Sequence, residues 1–137
     1  MISLLDTNVI SQRVKLSPHP GVMRWMSQMS PHDLCLSAIT LTEIRFGIEQ
    51  MPQGQRRRDL WQWLTHDLKH GFASRILPVD DAVAEEAGRL ISIGKQSGAK
   101  PDLADALIAA TARVHNLKLA TLNQTHFKPL GVDLVEW

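Results

Sequence analysis

Short apolar runs alternate along this chain with longer segments in which apolar residues recur every three or four positions. The runs have the length of buried strands, and the longer segments have the spacing of amphipathic helices. This alternation predicts an α/β domain whose mainly parallel central sheet is flanked by helices on both faces. Ligands of such sheets bind beyond the carboxyl ends of the strands. Strands are predicted at residues 2–5, 34–39, 75–79, 117–122 and 132–135.

The segments between these runs predict helices with clear starting residues. In the longest one, 55–70, helical spacing predicts a buried stripe formed by Leu60, Trp61, Leu64 and Leu68, with Trp63 off the stripe. Helices are predicted after Asp6, over 21–29, from Thr40, over 55–70, from Asp80 or Asp81 to about 94–98, and from Pro101 and Asp102 onward.

Composition predicts one ordinary globular domain over residues 1–137, since a chain of this length is too short for two sizeable cores. Apolar residues make up 44% and charged residues 21%, and no apolar run reaches the 18 or so residues of a spanning helix. No secretion signal precedes the first strand, and Cys35, the single cysteine, has no internal disulfide partner. We therefore expect a cytoplasmic protein without a membrane contact.

A formal net charge of +1 gives no global attraction to nucleic acid, so any such contact needs a local patch. Arg56, Arg57 and Arg58 form the clearest basic run. Three arginines near the start of an amphipathic helix favour a solvated face over an RNA contact.

Three acids occupy similar places in the predicted fold. Asp6 directly follows the first strand, Glu43 lies in the helix after the second, and Asp105 lies in the first turn of the alanine-rich helix. Parallel strands deliver such residues to one edge of the sheet, so the three carboxylates are predicted to form a cluster. Two like charges about 4 Å apart repel by roughly 4 kcal/mol at an effective dielectric near 20, a penalty that a divalent cation removes.

Oxygen ligands of this kind suit Mg²⁺ or Mn²⁺, which are held by a few carboxylates together with substrate phosphate. The implied chemistry is phosphoester hydrolysis by a metal-activated water. Each acid also has an ordinary structural explanation: Asp6 as an N-cap, Glu43 in a capping box with Thr40, and Asp105 three residues after the N-cap candidate Asp102. Taken one at a time, the acids favour capping over catalysis.

Three segments together resemble the PIN-domain nucleases, specifically the VapC and FitB-like toxins: LLDTNVIS, LSAITLTEIRFGI and DALIAATARVHNLKLATLNQTHF. The resemblance implies a PIN-like three-layer sandwich and a metal-dependent endoribonuclease. It places Asp6, Glu43 and Asp105 on the family's metal-binding positions and Asn8 on a polar position that helps to hold the site. Its cofactor would be Mg²⁺ or Mn²⁺, and its substrate RNA of a kind that the sequence does not name.

One position departs from the family pattern. Many relatives have a fourth acid after the fourth strand, where this chain has Thr121-Leu122-Asn123. Asn123 can orient a water through its amide but has no charge, so we predict one well-bound cation rather than two.

The resemblance also implies partners. These are an antitoxin of the VapB or FitA type that inhibits the enzyme, a second copy of the chain in a homodimer, a toxin–antitoxin hetero-oligomer, and DNA only through the antitoxin. Antitoxins of this kind dock a helix in an apolar groove. Candidate groove residues, at least half of which are expected to be core instead, are Trp25, Met26, Met29, Phe46 and Trp61.

Two other functions remain open at the level of sequence. A phosphatase of the aspartyl-phosphate type also has an acid after its first strand but usually needs a second acid two residues later, where this chain has Asn8. An inert PIN-like module that only binds a protein partner is the second alternative, which the loss of charge at Asn123 favours and the three retained acids oppose. His66 and His70 are one helical turn apart, but no further ligand completes a zinc site.

Overall fold

The computed structural model describes residues 1–137 and has a four-stranded parallel sheet at its centre. The strands are β1 (Ser3–Leu5), β2 (Leu34–Ser37), β3 (Ile76–Leu77) and β4 (Lys118–Ala120). Their order across the sheet is β3-β2-β1-β4, and every neighbouring pair is parallel. The predicted α/β class, with a mainly parallel sheet flanked by helices, is confirmed.

Helices connect the strands and cover both faces of the sheet. Each predicted helix is present, although its exact bounds differ from the prediction by a few residues. The α-helices of the structure, including the short helix α8 that was not predicted, are α1 (Thr7–Ile10), α2 (Pro20–Gln28), α3 (Ala38–Glu49), α4 (Gln55–Gln62), α5 (Lys69–Gly71), α6 (Asp81–Gln96), α7 (Leu103–Val114) and α8 (Gln124–Phe127). Short 3₁₀ turns lie at Ser11–Val14, Pro31–Asp33 and Lys128–Leu130.

Strand alternation divides the core into two parts, because successive side chains of a strand point to opposite faces. Leu4 of β1 packs with α6, α7 and α8 on one face, whereas its neighbour Leu5 packs with α1, α2 and α3 on the other. All three residues of β1 are buried, as expected for a central strand covered by helices on both sides.

The predicted strand at 132–135 is wrong. This segment makes a single parallel bridge, Leu119 to Leu134, with hydrogen bonds from the Leu119 N–H to the Asp133 carbonyl (2.8 Å) and from the Val135 N–H to the Leu119 carbonyl (2.9 Å). Val132 and Val135 are buried in the two different parts of the core. The apolar pattern therefore reflects burial along the edge of β4 and not an extended ladder.

The helix at 55–70 is interrupted by a π-helical stretch, Trp63–Leu68, between α4 and α5. Leu64 and Leu68 are buried as predicted, but Trp61 is 39% exposed and Trp63 packs against the core. A π turn spaces its hydrogen bonds at five residues and changes which side chains share a face, so the α-helical spacing gave the wrong positions for the two tryptophans.

Cys35 is a free thiol buried inside the sheet. Desolvation raises its pKa to about 11, so it is protonated at neutral pH.

None of the helices combines the length and the apolar character that crossing a bilayer requires.

Candidate active site

Asp6 and Thr121 lie in a crevice at the carboxyl ends of the two adjacent strands β1 and β4. Asp6 is the first residue after β1, and Thr121 is the first after β4. The chain leaves β1 toward β2 on one side and returns to β4 on the other, so the crevice lies where the strand order reverses. Ligand sites of open parallel sheets occur at this kind of position.

Asp6 is fixed by hydrogen bonds to both of its carboxylate oxygens. Oδ1 accepts the backbone N–H of Thr7 at 2.7 Å, which makes Asp6 the N-cap of α1, and Oδ2 accepts the hydroxyl of Thr121 at 2.7 Å. The residue is only 4% exposed. An ionised carboxylate has about four acceptor sites, so lone pairs remain on both oxygens for a ligand in the crevice.

The electrostatic environment of Asp6 disfavours its charge. Burial raises its pKa above the ordinary value, the hydrogen bonds from Thr121 and Thr7 oppose that rise, and the charge of Glu43 adds to it. The net direction is upward. A buried carboxylate whose pKa is raised, with a second carboxylate nearby, is typical of functional sites.

Glu43 reaches the crevice through α3, but not by the capping box that its spacing suggested. The N-cap of α3 is Ser37, whose hydroxyl accepts the N–H of Ile39 at 3.1 Å, so Thr40 already lies inside the helix. The Glu43 carboxylate instead accepts the hydroxyl of Thr7 at 2.6 Å, and the hydroxyls of Thr7 and Thr40 are 3.2 Å apart. The predicted capping box is therefore wrong, and Glu43 is linked to α1.

Asp105 enters from the opposite side, in the first turn of α7. The predicted N-cap is confirmed, because the carboxylate of Asp102 accepts the N–H of Ala104 at 2.9 Å. The histidine next to Asp105 is His126, whose Nδ1 lies 3.8 Å from Oδ2, beyond hydrogen-bonding distance. Desolvation raises the pKa of Asp105 to about 6, the charges of Asp6, Asp102 and Glu43 add to the rise, and His126 opposes it.

The two asparagines do different things. The Asn8 amide oxygen accepts the N–H of Leu122 at 3.1 Å, and its amide nitrogen is 3.5 Å from the Thr121 hydroxyl, so Asn8 ties α1 to the end of β4. Asn123 contacts the site through its backbone, whose N–H donates to the Thr121 hydroxyl at 3.0 Å, while the residue itself is exposed. Its predicted role in orienting a water stays a prediction.

Sequence reasoning missed Thr7, Thr121 and His126. Thr121 is fully buried and links Asp6, Asn8 and Asn123, so it is the centre of the hydrogen-bond network behind the site. The predicted strand at 117–122 included Thr121, so its position directly after β4, equivalent to that of Asp6 after β1, could not be read from the sequence. For His126 the sequence held no signal either.

The residues of the crevice fit a hard divalent cation through the chemistry of their donors. Asp6, Glu43 and Asp105 supply negative charge and oxygen ligands, which Mg²⁺ and Mn²⁺ prefer, and the charge of Glu43 contributes to the raised pKa values of Asp6 and Asp105. No three acidic, histidine or cysteine side chains of the chain converge closely enough to hold an ion by direct contacts alone. Mg²⁺ usually retains several waters and is held by one or two carboxylates, so it does not require three direct protein ligands.

The candidate groove residues do not surround one groove. Met26 is buried at 5% exposure, and Phe46 is 65% exposed. The ring of Trp25 contacts that of Trp137 at an interplanar angle of 47°, with ring centroids 5.6 Å apart. The Arg45 guanidinium lies 4.2 Å from the centroid of the Trp61 ring. The apolar cavity that adjoins Glu43 is instead lined by residues of α1 and the 3₁₀ turn after it, of α3 and α4, and by Trp63, and it measures about 300 Å³.

Comparison with known proteins agrees with this fold. The model of the PIN domain matches residues 3–130, and the chain belongs to the PIN-domain family. Within that family it is similar to VapC ribonuclease Y4jK of Sinorhizobium fredii, at 37% identity over 132 residues that are 96% of this chain and 94% of that protein. It is also similar to toxin FitB of Neisseria gonorrhoeae, at 38% identity over 124 residues, 90% of this chain and 89% of that protein.

A solved structure described as FitAB bound to an IR36 DNA fragment has a TM-score of 0.92 with this chain, at 34% identity over 98% of this chain and 94% of that one. The resemblance to PIN-domain toxins of the VapC and FitB kind is thereby confirmed, as is the PIN-like sandwich.

Proposed function

We propose that this chain is a metal-dependent endoribonuclease and the toxin of a toxin–antitoxin pair, which hydrolyses RNA phosphodiester bonds and is inhibited by a cognate antitoxin. The observation that carries the proposal is the buried carboxylate of Asp6 at the strand-order reversal, with Glu43 and Asp105 near enough to interact with it through their charges. Ribonuclease and toxin are the words in the names of similar proteins, VapC ribonuclease Y4jK and toxin FitB.

The three carboxylates Asp6, Glu43 and Asp105 would hold Mg²⁺ or Mn²⁺. When bound, such an ion supplies a Lewis acid for the phosphoryl oxygen and a water of lowered pKa as nucleophile. Thr121 and the Thr7 N–H fix the rotamer of Asp6, and the Thr7 hydroxyl fixes Glu43. These hydrogen bonds hold the carboxylates in place before substrate binds, which avoids reorganisation during the reaction.

The proposed partners are an antitoxin and, through it, DNA, with the chain itself as a homodimer. The support for the antitoxin and for the DNA is the likeness to a FitAB assembly on a DNA fragment. The apolar cavity beside Glu43 has the character of a groove for an amphipathic segment. A phosphatase that forms an aspartyl-phosphate has less support, because the second acid it needs is replaced by Asn8, whose amide is occupied with Leu122 and Thr121.

Cleavage of RNA by the purified, partner-free chain tests the enzyme proposal. Structured and single-stranded RNAs are incubated with Mg²⁺, Mn²⁺ or EDTA and the products are separated by size. Cleavage is expected with either metal, none with EDTA, and none for Asp6→Asn, which keeps the N-cap of α1 because asparagine caps as well as aspartate.

The matched control is Glu85→Gln, which removes a carboxylate from an exposed position of α6. It should cleave like the wild type, and circular dichroism should show both variants folded. RNA that survives equally in every lane would contradict the ribonuclease. Expression in cells tests the toxin: growth arrest is expected from the wild type, relief from a small antitoxin gene placed beside it, and no arrest from Asp6→Asn.

A further inference from the structure

A second cavity adjoins the acidic crevice on the side of α7, and most of its lining residues have no role in the chemistry described above. It measures about 240 Å³, and its wall includes Asp105, so it opens directly on the site. The other residues that matter for its properties are Lys100, Pro101, Asp102, His126 and Pro129. We refer to it as the His126 pocket. It lies at the small end of ligand cavities, which suits one planar ring rather than an extended ligand.

The imidazole of His126 is the aromatic surface of this pocket. Its side chain is 65% exposed although it lies beside the half-buried Asp105, with 3.8 Å between Nδ1 and Oδ2. An aromatic ring with a free face next to a phosphodiester site is the kind of surface on which unstacked RNA bases stack, and histidine is among the residues used.

The apolar side of the pocket is rigid. Pro101 packs so closely on α6 that a Cβ added to Gly94 would lie 2.6 Å from its Cγ and 3.3 Å from Leu130 Cδ2. Gly94 is in the interior of α6, where glycine is less stable than alanine, so close packing is the physical reason for a glycine there. Two prolines, Pro101 and Pro129, therefore line the pocket as preformed apolar surfaces.

The polar groups of the pocket match the edge of a base. One carboxylate oxygen of Asp102 accepts the Ala104 N–H, which leaves the other available for an exocyclic amino group. Lys100 supplies a donor for a base carbonyl or the adjoining phosphate. Carboxylates accept from amino groups of bases and lysines donate to their carbonyls.

We propose that the His126 pocket binds the nucleobase next to the scissile phosphate, stacked on the His126 imidazole, and so selects single-stranded RNA at the cleavage site. The proposal rests on the proposed ribonuclease function, whose substrate form it specifies. Stacking uses the ring face and not the proton of His126, so a phenylalanine can replace it.

Kinetics with a short single-stranded RNA test the stacking role. His126→Ala should raise KM about tenfold, the usual effect of removing one stacking side chain, and leave kcat within about twofold. His126→Phe should restore KM to within about threefold of the wild type, because it keeps an aromatic face without a titrating group. Equal KM values for all three proteins, or a phenylalanine variant as poor as the alanine one, would overturn the proposal.

A second measurement does not depend on cleavage. The imidazole protons of His126 are followed by NMR while AMP, GMP, CMP or UMP is added in turn to about 10 mM, enough to detect a site of millimolar affinity. Stacking predicts an upfield ring-current shift at His126 and none at His32, which is exposed and precedes β2 at the opposite end of the sheet.

No upfield shift of His126 with any of the four nucleotides would overturn the pocket assignment, even if RNA is cleaved. A shift at His126 in a protein that cleaves no RNA would instead support the base pocket and contradict the ribonuclease.

Discussion

The two sides of the acidic crevice hold their carboxylates in opposite ways. On the β1 side, Asp6 is almost fully buried, but both of its oxygens accept hydrogen bonds. On the α7 side, Asp105 is less buried, yet its pKa is raised to about 6. The neighbour that opposes this rise is the imidazole of His126, which at 3.8 Å is too far away for a hydrogen bond. Burial alone therefore does not set how far the pKa of a carboxylate rises. The hydrogen bonds that the carboxylate accepts reduce the rise that burial causes.

This difference suggests a division of tasks. Asp6 is held in place by the fold whether or not a ligand is present, and it serves as the fixed point of the crevice. The ionised form of Asp105 is destabilised by desolvation and, to a smaller extent, by its like-charged neighbours until a cation binds, so the α7 side is where a cation would bring the larger gain. Variants on each side should then affect stability with opposite signs.

The largest effect on stability is expected on the β1 side, from Thr121→Val. Valine has nearly the same shape but removes the hydroxyl that Asp6 Oδ2 and the Asn123 N–H both use. A hydrogen bond to a charged group contributes about 1.5–3 kcal/mol, so the free energy of unfolding should fall by about 2 kcal/mol, as measured by urea denaturation in EDTA. Thr121→Ser is the matched control, since it keeps the hydroxyl and loses a buried methyl worth about 1 kcal/mol. A valine variant as stable as the wild type would mean that the hydrogen bond to Asp6 contributes nothing.

The sequence predicted the sheet class and the central acids because both depend on local patterns. Strand length, helical spacing and the position of Asp6 directly after β1 are readable without knowing distant contacts. Spacing also predicted the N-cap Asp102 correctly. At Thr40 the same reasoning was wrong, because Ser37 ends β2 two residues earlier than predicted and caps α3 first.

Contacts between distant segments could not be predicted in this way. Thr121 and Asp6 are 115 positions apart in the chain, and Thr7 and Glu43 are 36 apart. The ring position of His126 depends on the packing of α8 against α7. Likewise, the π-helical stretch that exchanges the positions of Trp61 and Trp63 has no clear signal in the sequence.

A smaller effect on stability, of opposite sign, is expected on the α7 side from Asp105→Asn. A shift of about two pKa units corresponds to at most about 3 kcal/mol, and solvent screening of this partly exposed group reduces the figure to about 1 kcal/mol. The variant should therefore be about 1 kcal/mol more stable than the wild type at pH 7.5 in EDTA, while RNA cleavage is lost. Glu85→Gln should change neither. A variant less stable than the wild type would contradict the strain assigned to Asp105.

The smallest and most specific effect is the pH dependence of that difference. Asp105 has an unfolded pKa near 3.8 and a folded pKa of about 6, so the folded state binds more protons between these values and its stability falls as pH rises. Below pH 3.8 the group is protonated in both states, and the wild type and Asp105→Asn should be equally stable. The difference should grow through pH 4–6 and stay constant above, because the penalty is complete once Asp105 is ionised in both states.

Urea denaturation of both proteins in EDTA at half-unit pH steps measures this profile, and the other titrating groups that face Asp105, namely Asp6, Asp102, Glu43 and His126, are present in both. Saturating Mg²⁺ should shrink the difference at pH 7.5, because a bound cation stabilises the ionised carboxylates of the wild type and stabilises the asparagine variant less. A difference that is independent of pH would show that the amide acts through packing and not through the removal of charge.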